Sequence, residues 1–189
     1  MVIYVHGFNS SALSFKASLI SQRMTALARG AEFACPDLDH RPRRAIAQLE
    51  TLIEAAGKAP VTLVGSSLGG YYATHLAERL GVRAALVNPA IRPHELLRGY
   101  IGQQHNLHTG AEYQFTEEHL AELRQIEVAR ITPGRYLLLV TTGDEVLDYR
   151  AAAEKYRGCE QIVIEGGDHG FGTFADYLDI VLDFCDAGR

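Results

Sequence analysis

The hydrophobic residues of this chain fall into short continuous runs that alternate with longer segments of helical period. The short runs are rich in aliphatic residues and predict six strands, at residues 2–5, 31–35, 61–64, 84–87, 136–140 and 161–164. Most of these runs are apolar at nearly every position, as is typical of parallel strands that helices cover on both faces. The alternation therefore predicts a doubly wound α/β sheet with right-handed crossover connections.

In the segments between the strands, apolar residues recur every three or four positions, which is the period of a helix packed on one side. Phe15, Leu19, Met24 and Leu27 are expected to form the buried stripe of the first helix. The same period predicts further helices around residues 46–53, 68–80, 149–156 and 174–185. These helices would cover the two faces of the sheet.

One segment, residues 92–130, interrupts this alternation. It shows no convincing strand pattern and contains several glycines and four of the eight histidines. Thr116, which two glutamates follow, has the character of a helix N-cap. We expect a mostly helical excursion within a single domain that spans residues 1–189. Because long loops in compact domains usually serve a site, we interpret it as a cap, with an ordinary crossover helix between long loops as the alternative.

The clearest chemical motif is Gly65-x-Ser67-x-Gly69, which follows an apolar strand and begins a helical repeat. In this context the pattern is typical of a nucleophile elbow. The strand-to-helix turn is so tight that side chains two residues before and after the serine would clash, and glycine occupies both positions. Ser67 is therefore the predicted nucleophile. Ser66 is excluded because bulky residues would then flank it.

A serine hydroxyl needs a general base, and the base needs a carboxylate that orients it. In this architecture the expected chain order is serine, acid, histidine. His169 lies in a glycine-rich loop between the last strand and the last helix, which should bring it to the same sheet edge as Ser67. Asp144 and Asp148 both follow the preceding strand. Asp144 lies nearer the strand end, whereas Asp148 can be explained as a helix N-cap, so Asp144 is the predicted acid and Asp148 the alternative.

The tetrahedral intermediate of acyl transfer needs hydrogen-bond donors for its oxyanion. The backbone N–H of Leu68, directly after the serine, is the first expected donor. The second is expected from the loop at residues 6–11, after the first strand, where the N–H of Phe8 is the candidate.

The composition narrows the function classes. Hydrophobic residues make up 47% and charged residues 22% of the 189 positions, which excludes intrinsic disorder. A formal net charge of −5 argues against a nucleic-acid-binding surface. No apolar run approaches the roughly 20 residues of a membrane-spanning helix, and the first residues lack the basic region of a signal peptide, so a cytoplasmic location is expected. The three scattered cysteines predict buried thiols.

Neither a cofactor nor a metal is expected. The chain has no Walker loop and no dinucleotide-binding fingerprint after a strand. A metal centre would have to use His94, His105, His108 and His119, but no carboxylate stands at a matching spacing, so these histidines are interpreted as solvated. The basic residues at 41–44 are interpreted as a solvated turn, with an anchor for an anionic acyl carrier as the alternative.

Together these residues resemble the α/β-hydrolase superfamily and, more closely, the small YqiA-like bacterial esterases. The matching segments extend over nearly the whole chain, at residues 4–11, 65–70, 88–90, 143–149 and 167–169. The resemblance implies a six-stranded sheet in the order 2-1-3-4-5-6, without the leading antiparallel strands of larger members. It also implies the triad Ser67, Asp144 and His169, and a small-molecule substrate that is a carboxylic ester or an acyl thioester.

Two other functions are compatible with the same residues. A catalytically silent protein of this fold could bind a ligand or a partner, although a strained serine would bring such a binder no benefit. An acyltransferase would form the same acyl-enzyme and pass the acyl group to an acceptor other than water.

Overall fold

The computed structural model describes residues 1–187 and contains one large and one small sheet. The strands are β1 (Val2–Val5), β2 (Phe33–Ala34), β3 (Thr62–Ser66), β4 (Arg83–Val87), β5 (Gly102–His105), β6 (Glu112–Phe115), β7 (Tyr136–Thr141) and β8 (Glu160–Ile164). The helices are α1 (Phe15–Ala26), α2 (Pro42–Ala55), α3 (Leu68–Leu80), α4 (Pro93–Leu96), α5 (Glu117–Gln125), α6 (Tyr149–Lys155) and α7 (Leu178–Asp186). Six strands form an all-parallel sheet in the order β2-β1-β3-β4-β7-β8, which confirms the expected strand order of the large sheet.

The side chains of the large sheet alternate between two apolar layers. On β1, Val2 and Tyr4 pack in the layer that α1 and α7 cover, whereas Ile3 and Val5 pack in the layer with α2, α3 and α6. The central strands are buried on both faces, and burial of this kind requires the apolar runs from which they were predicted.

Two strands, β2 and β3, have bounds that differ from the predicted ones. β2 has only two residues because a 3₁₀ turn occupies residues 30–32 just before it, at the edge of the sheet. β3 extends two residues further than its apolar run, since Gly65 and Ser66 stay paired with Leu86 and Val87 of β4. The strand pairing therefore reaches the residue directly before Ser67.

The predicted buried stripe of α1 is wrong at both ends. Phe15 and Leu27 are exposed, and the buried side of the helix carries Lys16, Ile20 and Met24. The ammonium group of Lys16 donates a hydrogen bond to a backbone carbonyl in the loop between β8 and α7. Because that bond gives the buried ammonium group an acceptor, a lysine can lie on the buried side of the helix, where only apolar residues were expected.

Residues 92–130 are not the mostly helical excursion that the sequence predicts. Between α4 and α5 the chain forms an antiparallel hairpin, β5–β6, which stands apart from the large sheet. Its strands have four residues each and are built from Gly, Gln, His, Glu, Tyr and Phe, so they produce no aliphatic run. The predicted helix start at Thr116 is confirmed, since α5 begins at Glu117 with Thr116 as its N-cap, and the N–H of Thr116 donates to Nδ1 of His119 at 3.1 Å.

The histidines of this segment are also not uniformly solvated as expected. His94 and His119 are buried, whereas His105 and His108 are exposed. Within residues 1–187 there is no group of three His, Cys, Asp or Glu side chains that could hold a metal ion. In the same range no helix has the length and apolar character needed to cross a membrane.

Arg43 and Arg44, at the start of α2, are exposed as expected of a solvated turn, but the basic residues there also have protein partners. Arg41 forms an ion pair with Glu118, and Arg43 donates a hydrogen bond to Oε1 of Gln125 at 3.2 Å. These contacts join α2 to α5. Arg44 lies 3.5 Å from Oδ2 of Asp39, so all three arginines contact protein groups, which weakens the alternative of an anchor for an anionic acyl carrier.

Candidate active site

The turn between β3 and α3 holds Ser67 in a strained backbone conformation, with φ 55° and ψ −122°. A Cβ atom on Gly69 would lie 1.9 Å from the carbonyl oxygen of Val5. One on Gly65 would lie 2.5 Å from the carbonyl oxygen of Gly69. Both glycines are therefore required by the close approach of backbone to backbone, as the spacing of the motif predicts.

We expect Gly69→Ala to destabilise the protein by about 3 kcal/mol or more, because the added methyl group meets a backbone atom that cannot move aside. Gly134→Ala is the matched control, since a Cβ at Gly134 has no heavy atom within 4 Å. Urea denaturation of the two variants measures the difference. Equal midpoints would show that the turn relaxes around the added methyl group and that glycine is not required there.

Three predicted residues lie in one hydrogen-bond chain. The hydroxyl of Ser67 donates to Nε2 of His169 at 3.1 Å, and the Nδ1–H of His169 donates to Oδ2 of Asp144 at 2.8 Å. The three side chains come from the loops that follow β3, β8 and β7, at the carboxyl edge of the large sheet. The structure thus brings together residues that lie up to 102 positions apart.

The carboxyl group of Asp144 is held in its ionised form by its hydrogen bonds. Burial raises its pKa, but the hydrogen bonds from His169 and from the backbone N–H groups of Leu147 and Val146 outweigh burial and hold the pKa below its ordinary value. The side chain of Asp144 is only 2% exposed. A buried carboxylate in this position accepts the Nδ1–H of the imidazole and fixes the ring with Nε2 free to accept a proton.

Asp148, the alternative acid, lies in a different environment. Its side chain accepts the backbone N–H of Arg150 at 3.0 Å and so forms the N-cap of α6. That side chain is 61% exposed. Helix capping therefore accounts for Asp148, and the structure places Asp144 alone of the two against His169.

The two predicted oxyanion donors belong to residues of the cleft that contains the serine. Leu68 is the first residue of α3, so its N–H is one of the helix-terminal donors that have no partner within the helix. Phe8 lies in the loop after β1, and both residues line the same cleft as Ser67 and His169. Neither backbone N–H donates to a protein acceptor within residues 1–187. Within the described residues neither N–H is therefore committed to an acceptor, and both belong to residues that line the cleft beside Ser67.

A buried asparagine, whose role the sequence did not reveal, links the parts of the site. The Nδ2 of Asn88 donates to Oγ1 of Thr141 at 3.1 Å and to the carbonyl oxygen of Asp168 at 3.2 Å, and its Oδ1 accepts the N–H of Thr141 at 3.0 Å. It thereby holds the ends of β4 and β7 and the loop before His169 in one arrangement. In the sequence, the sign of this role is that Asn88 is a polar residue directly after an apolar strand.

Lys16 is the second residue that the sequence did not reveal. Its Nζ donates to the carbonyl oxygen of Gly170 at 2.6 Å, next to the histidine in sequence. Burial lowers the pKa of Lys16 to about 8, while the negative charges of Asp168 and Asp144 act in the opposite direction. The lysine therefore holds the histidine loop onto α1.

A cleft of about 420 Å³ opens beside Ser67, a volume within the range of small-molecule sites. Its walls come from the loop after β1, the segment around α4, the turn of the hairpin and the loop after β7. Most of the side chains on these walls are apolar, among them Pro93, Leu97, Tyr100, Leu107 and Leu147. The hydrogen-bond chain thus opens into a largely apolar cleft.

Comparison with known proteins places the chain in a family. The model of the family described as "Uncharacterised protein family (UPF0227)" matches residues 1–186. A UPF0227 protein of Vibrio cholerae is 22% identical over 186 residues, which cover 97% of this chain and 98% of the relative.

Solved structures share the architecture at low sequence identity. Alpha/beta hydrolase domain-containing protein 10 from mouse superposes with a TM-score of 0.72 at 17% identity, covering 96% of this chain and 89% of that one. The esterase domain of a Rhodothermus marinus protein superposes with a TM-score of 0.66 at 17% identity, covering 99% and 84%. The chain therefore belongs to the UPF0227 family and has the α/β-hydrolase fold.

Proposed function

We propose that this protein is a serine hydrolase that cleaves carboxylic esters or acyl thioesters through an acyl-enzyme. The single observation that carries this proposal is the continuous hydrogen-bond chain from Ser67 through His169 to Asp144, which ends in an apolar cleft. A nucleophile, a general base and a carboxylate in this order form the constellation that acyl transfer to serine requires.

Each group has a role in the proposed reaction. Ser67 Oγ attacks the acyl carbonyl carbon while its proton passes to Nε2 of His169, and Asp144 stabilises the imidazolium that results. The N–H groups of Phe8 and Leu68 donate to the oxyanion of the tetrahedral intermediate. Its collapse expels the alcohol or thiol, which takes the proton from His169. Water then attacks the acyl-enzyme in the same way and releases the acid.

Several features favour a hydrolase over a catalytically silent binder or an acyltransferase. A binder would gain nothing from the strained backbone of Ser67 or from a buried, ionised Asp144. The imidazole of His169 is 24% exposed, so water can reach the base that would activate it. Water is therefore the acceptor that this open site favours.

The walls of the cleft indicate the class of acyl group. They are mostly apolar, and several of the side chains at its rim, such as Leu96, Leu107 and Val146, are exposed to solvent. An uncharged aliphatic acyl chain would bury these side chains, whereas a charged chain would lose its hydration without gaining a partner. We propose that the substrate is a small-molecule ester or thioester whose acyl chain carries no charge.

The chemistry of the site and the cysteine thiols bear on what the reaction requires and on the compartment in which it takes place. The chemistry proposed uses side chains and backbone N–H groups alone, and it requires neither a metal nor a cofactor. The three cysteines are unpaired, as is usual in a reducing compartment. We propose that the chain acts as a single domain in the cytoplasm.

A series of p-nitrophenyl esters and thioesters from acetyl to dodecanoyl tests the acyl preference. We expect kcat/KM to rise by up to about fourfold for each added methylene until the cleft is filled, since a buried CH₂ contributes about 0.8 kcal/mol. Succinyl esters, matched in length to butyryl esters but negatively charged, should react at least tenfold more slowly. A preference for acetyl over every longer chain, or for succinyl, would contradict the proposal. The ratio between ester and thioester of the same acid assigns the leaving group.

A further inference from the structure

The hairpin β5–β6 is attached to the loop that follows β1, and Asn9 is the centre of this contact. The side chain of Asn9 donates from Nδ2 to Oε1 of Gln104 at 3.1 Å and accepts at Oδ1 from the hydroxyl of Tyr113 at 2.5 Å. Its backbone carbonyl accepts the N–H of Leu107 at 2.8 Å. Three polar groups of one residue are thus satisfied by the hairpin.

The residues on either side of Asn9 are held as well. Asn106, in the turn of the hairpin, donates from Nδ2 to the carbonyl oxygen of Ser10 at 2.6 Å. The ring of Phe8 packs edge-on against the ring of Phe115, with centroids 5.3 Å apart. The hairpin therefore fixes three consecutive residues, of which the first supplies the second proposed oxyanion donor.

The backbone at this point needs such support. Asn9 has a φ of 54°, in the left-handed region that residues other than glycine enter at a cost. Burial raises the pKa of Tyr113 to about 12, so its hydroxyl keeps the proton that it donates to Asn9. Since Asn9 directly follows Phe8, its conformation constrains the backbone next to the Phe8 N–H.

We propose that the hairpin positions the oxyanion hole, with Asn9, Tyr113 and Asn106 as positioning residues that hold the Phe8 N–H where the developing oxyanion needs it. This inference rests on the proposed function, since it requires that an oxyanion forms at Ser67. Residues 92–130 then act as a fixed support of the loop at residues 6–11, which carries Phe8. The same segment places Leu107 in the wall of the cleft, so one element contributes to acyl binding and to the hole.

The two faces of the hairpin separate this role from simple stability. Gln104 and Tyr113 are partly buried against the loop, whereas Gln103 and Glu112 are exposed on the opposite face. Gln103 donates from Nε2 to Oε2 of Glu112 at 3.0 Å. A substitution at Gln103 therefore removes a hydrogen bond of the same hairpin without touching the loop.

The test compares Tyr113→Phe and Asn9→Gly with Gln103→Ala. Tyr113→Phe removes one hydroxyl, and Asn9→Gly removes the side-chain contacts while glycine still permits a positive φ. We expect both to lower kcat by about tenfold to 10²-fold with KM changed less than twofold, since complete loss of an oxyanion donor costs about 10²–10³ in kcat. Gln103→Ala should match the wild type.

A second readout uses an alkyl boronic acid, whose adduct with the serine resembles the tetrahedral intermediate. Its affinity should fall by the same factor as kcat in the two loop variants, because both quantities depend on the oxyanion contacts. The double variant Tyr113→Phe with Asn9→Gly should lose no more than Asn9→Gly alone, since the two changes break one contact. Thermal unfolding of each variant verifies that it is folded.

The outcomes distinguish this inference from the proposed function. Amide hydrogen exchange of residues 6–11 should be faster in the two loop variants than in Gln103→Ala, whether or not a substrate is known. Equal exchange and equal kcat in all three variants would overturn the positioning role. A fall in kcat without a fall in boronic acid affinity would overturn it too. A wild-type protein that hydrolyses no ester or thioester and forms no boronic acid adduct would instead overturn the proposed function, and this inference with it.

Discussion

Ser67→Ala should lower kcat for ester hydrolysis by about 10⁴–10⁶, the largest loss that any single substitution in this site is expected to cause. The variant loses the only atom that forms the covalent intermediate, while the oxyanion donors and the cleft remain. It should stay folded, because alanine and serine are equally strained at the φ of 55° that residue 67 adopts. Steady-state hydrolysis of the preferred ester measures the loss.

The neighbouring serine supplies the matched control. A fluorophosphonate probe should add one label to the wild type and to Ser66→Ala, and none to Ser67→Ala, as intact mass would show. Ser66 is the last residue of β3, is almost fully buried and lies outside the cleft, so it has no access to a probe. Labelling that persists in Ser67→Ala, or that disappears in Ser66→Ala with the fold intact, would assign the nucleophile elsewhere.

The positions of the central strands were predictable because their residues have a single environment, whereas their order in the sheet was implied by the family resemblance. β1, β3, β4 and β7 are buried on both faces, so the sequence has to be apolar at nearly every position. The hairpin was not predicted because the side chains of Gln103, Gln104 and Tyr113 contact either one loop or solvent. Such contacts produce no hydrophobic period in the sequence. The misplaced stripe of α1 has the same origin, since the buried Lys16 donates its hydrogen bond to a carbonyl that is distant in sequence.

The candidate site was more predictable than the residues that support it. Ser67 is marked by two glycines that a backbone contact requires, and this constraint is local in sequence. The positions of His169 and Asp144 follow from the rule that parallel strands end at one edge of the sheet. Asn88 and Asn9 act through partners about 50 to 100 positions away, and nothing in the neighbouring sequence identifies those partners.

The supporting residues also divide the site into two halves with separate anchors. Asn88 and Lys16 hold the loop that carries His169, whereas the hairpin holds the loop that carries Phe8. Changes in the first group should affect the activation of the nucleophile, and changes in the second the stabilisation of the oxyanion. The rate of labelling by a small fluorophosphonate and the affinity for a boronic acid allow the two effects to be compared.

Asp144→Asn should lower kcat by about 10⁴, whereas Asp148→Asn should leave it within about twofold of the wild type. Oδ1 of Asp144 accepts the backbone N–H groups of Val146 and Leu147, each at 2.8 Å, and Oδ2 accepts the Nδ1–H of His169. In the asparagine variant Oδ1 can keep both backbone bonds, so the loop should hold its shape. The amide NH₂ then faces the imidazole and favours the tautomer with the proton on Nε2, which cannot accept the proton of Ser67.

The comparison is balanced because asparagine is as good a helix N-cap as aspartate, so Asp148→Asn should keep α6 intact. Steady-state hydrolysis measures both variants, and thermal unfolding verifies that neither loses stability. The reverse ranking would give the acid role to Asp148. Equal, large losses in both variants would mean that the loop after β7 acts as a unit and that orientation of the imidazole is not the limiting effect. A large loss in Asp144→Asn alone, with unchanged stability and a slower reaction of Ser67 with the fluorophosphonate, is the result expected if the buried carboxylate acts through the tautomer of His169.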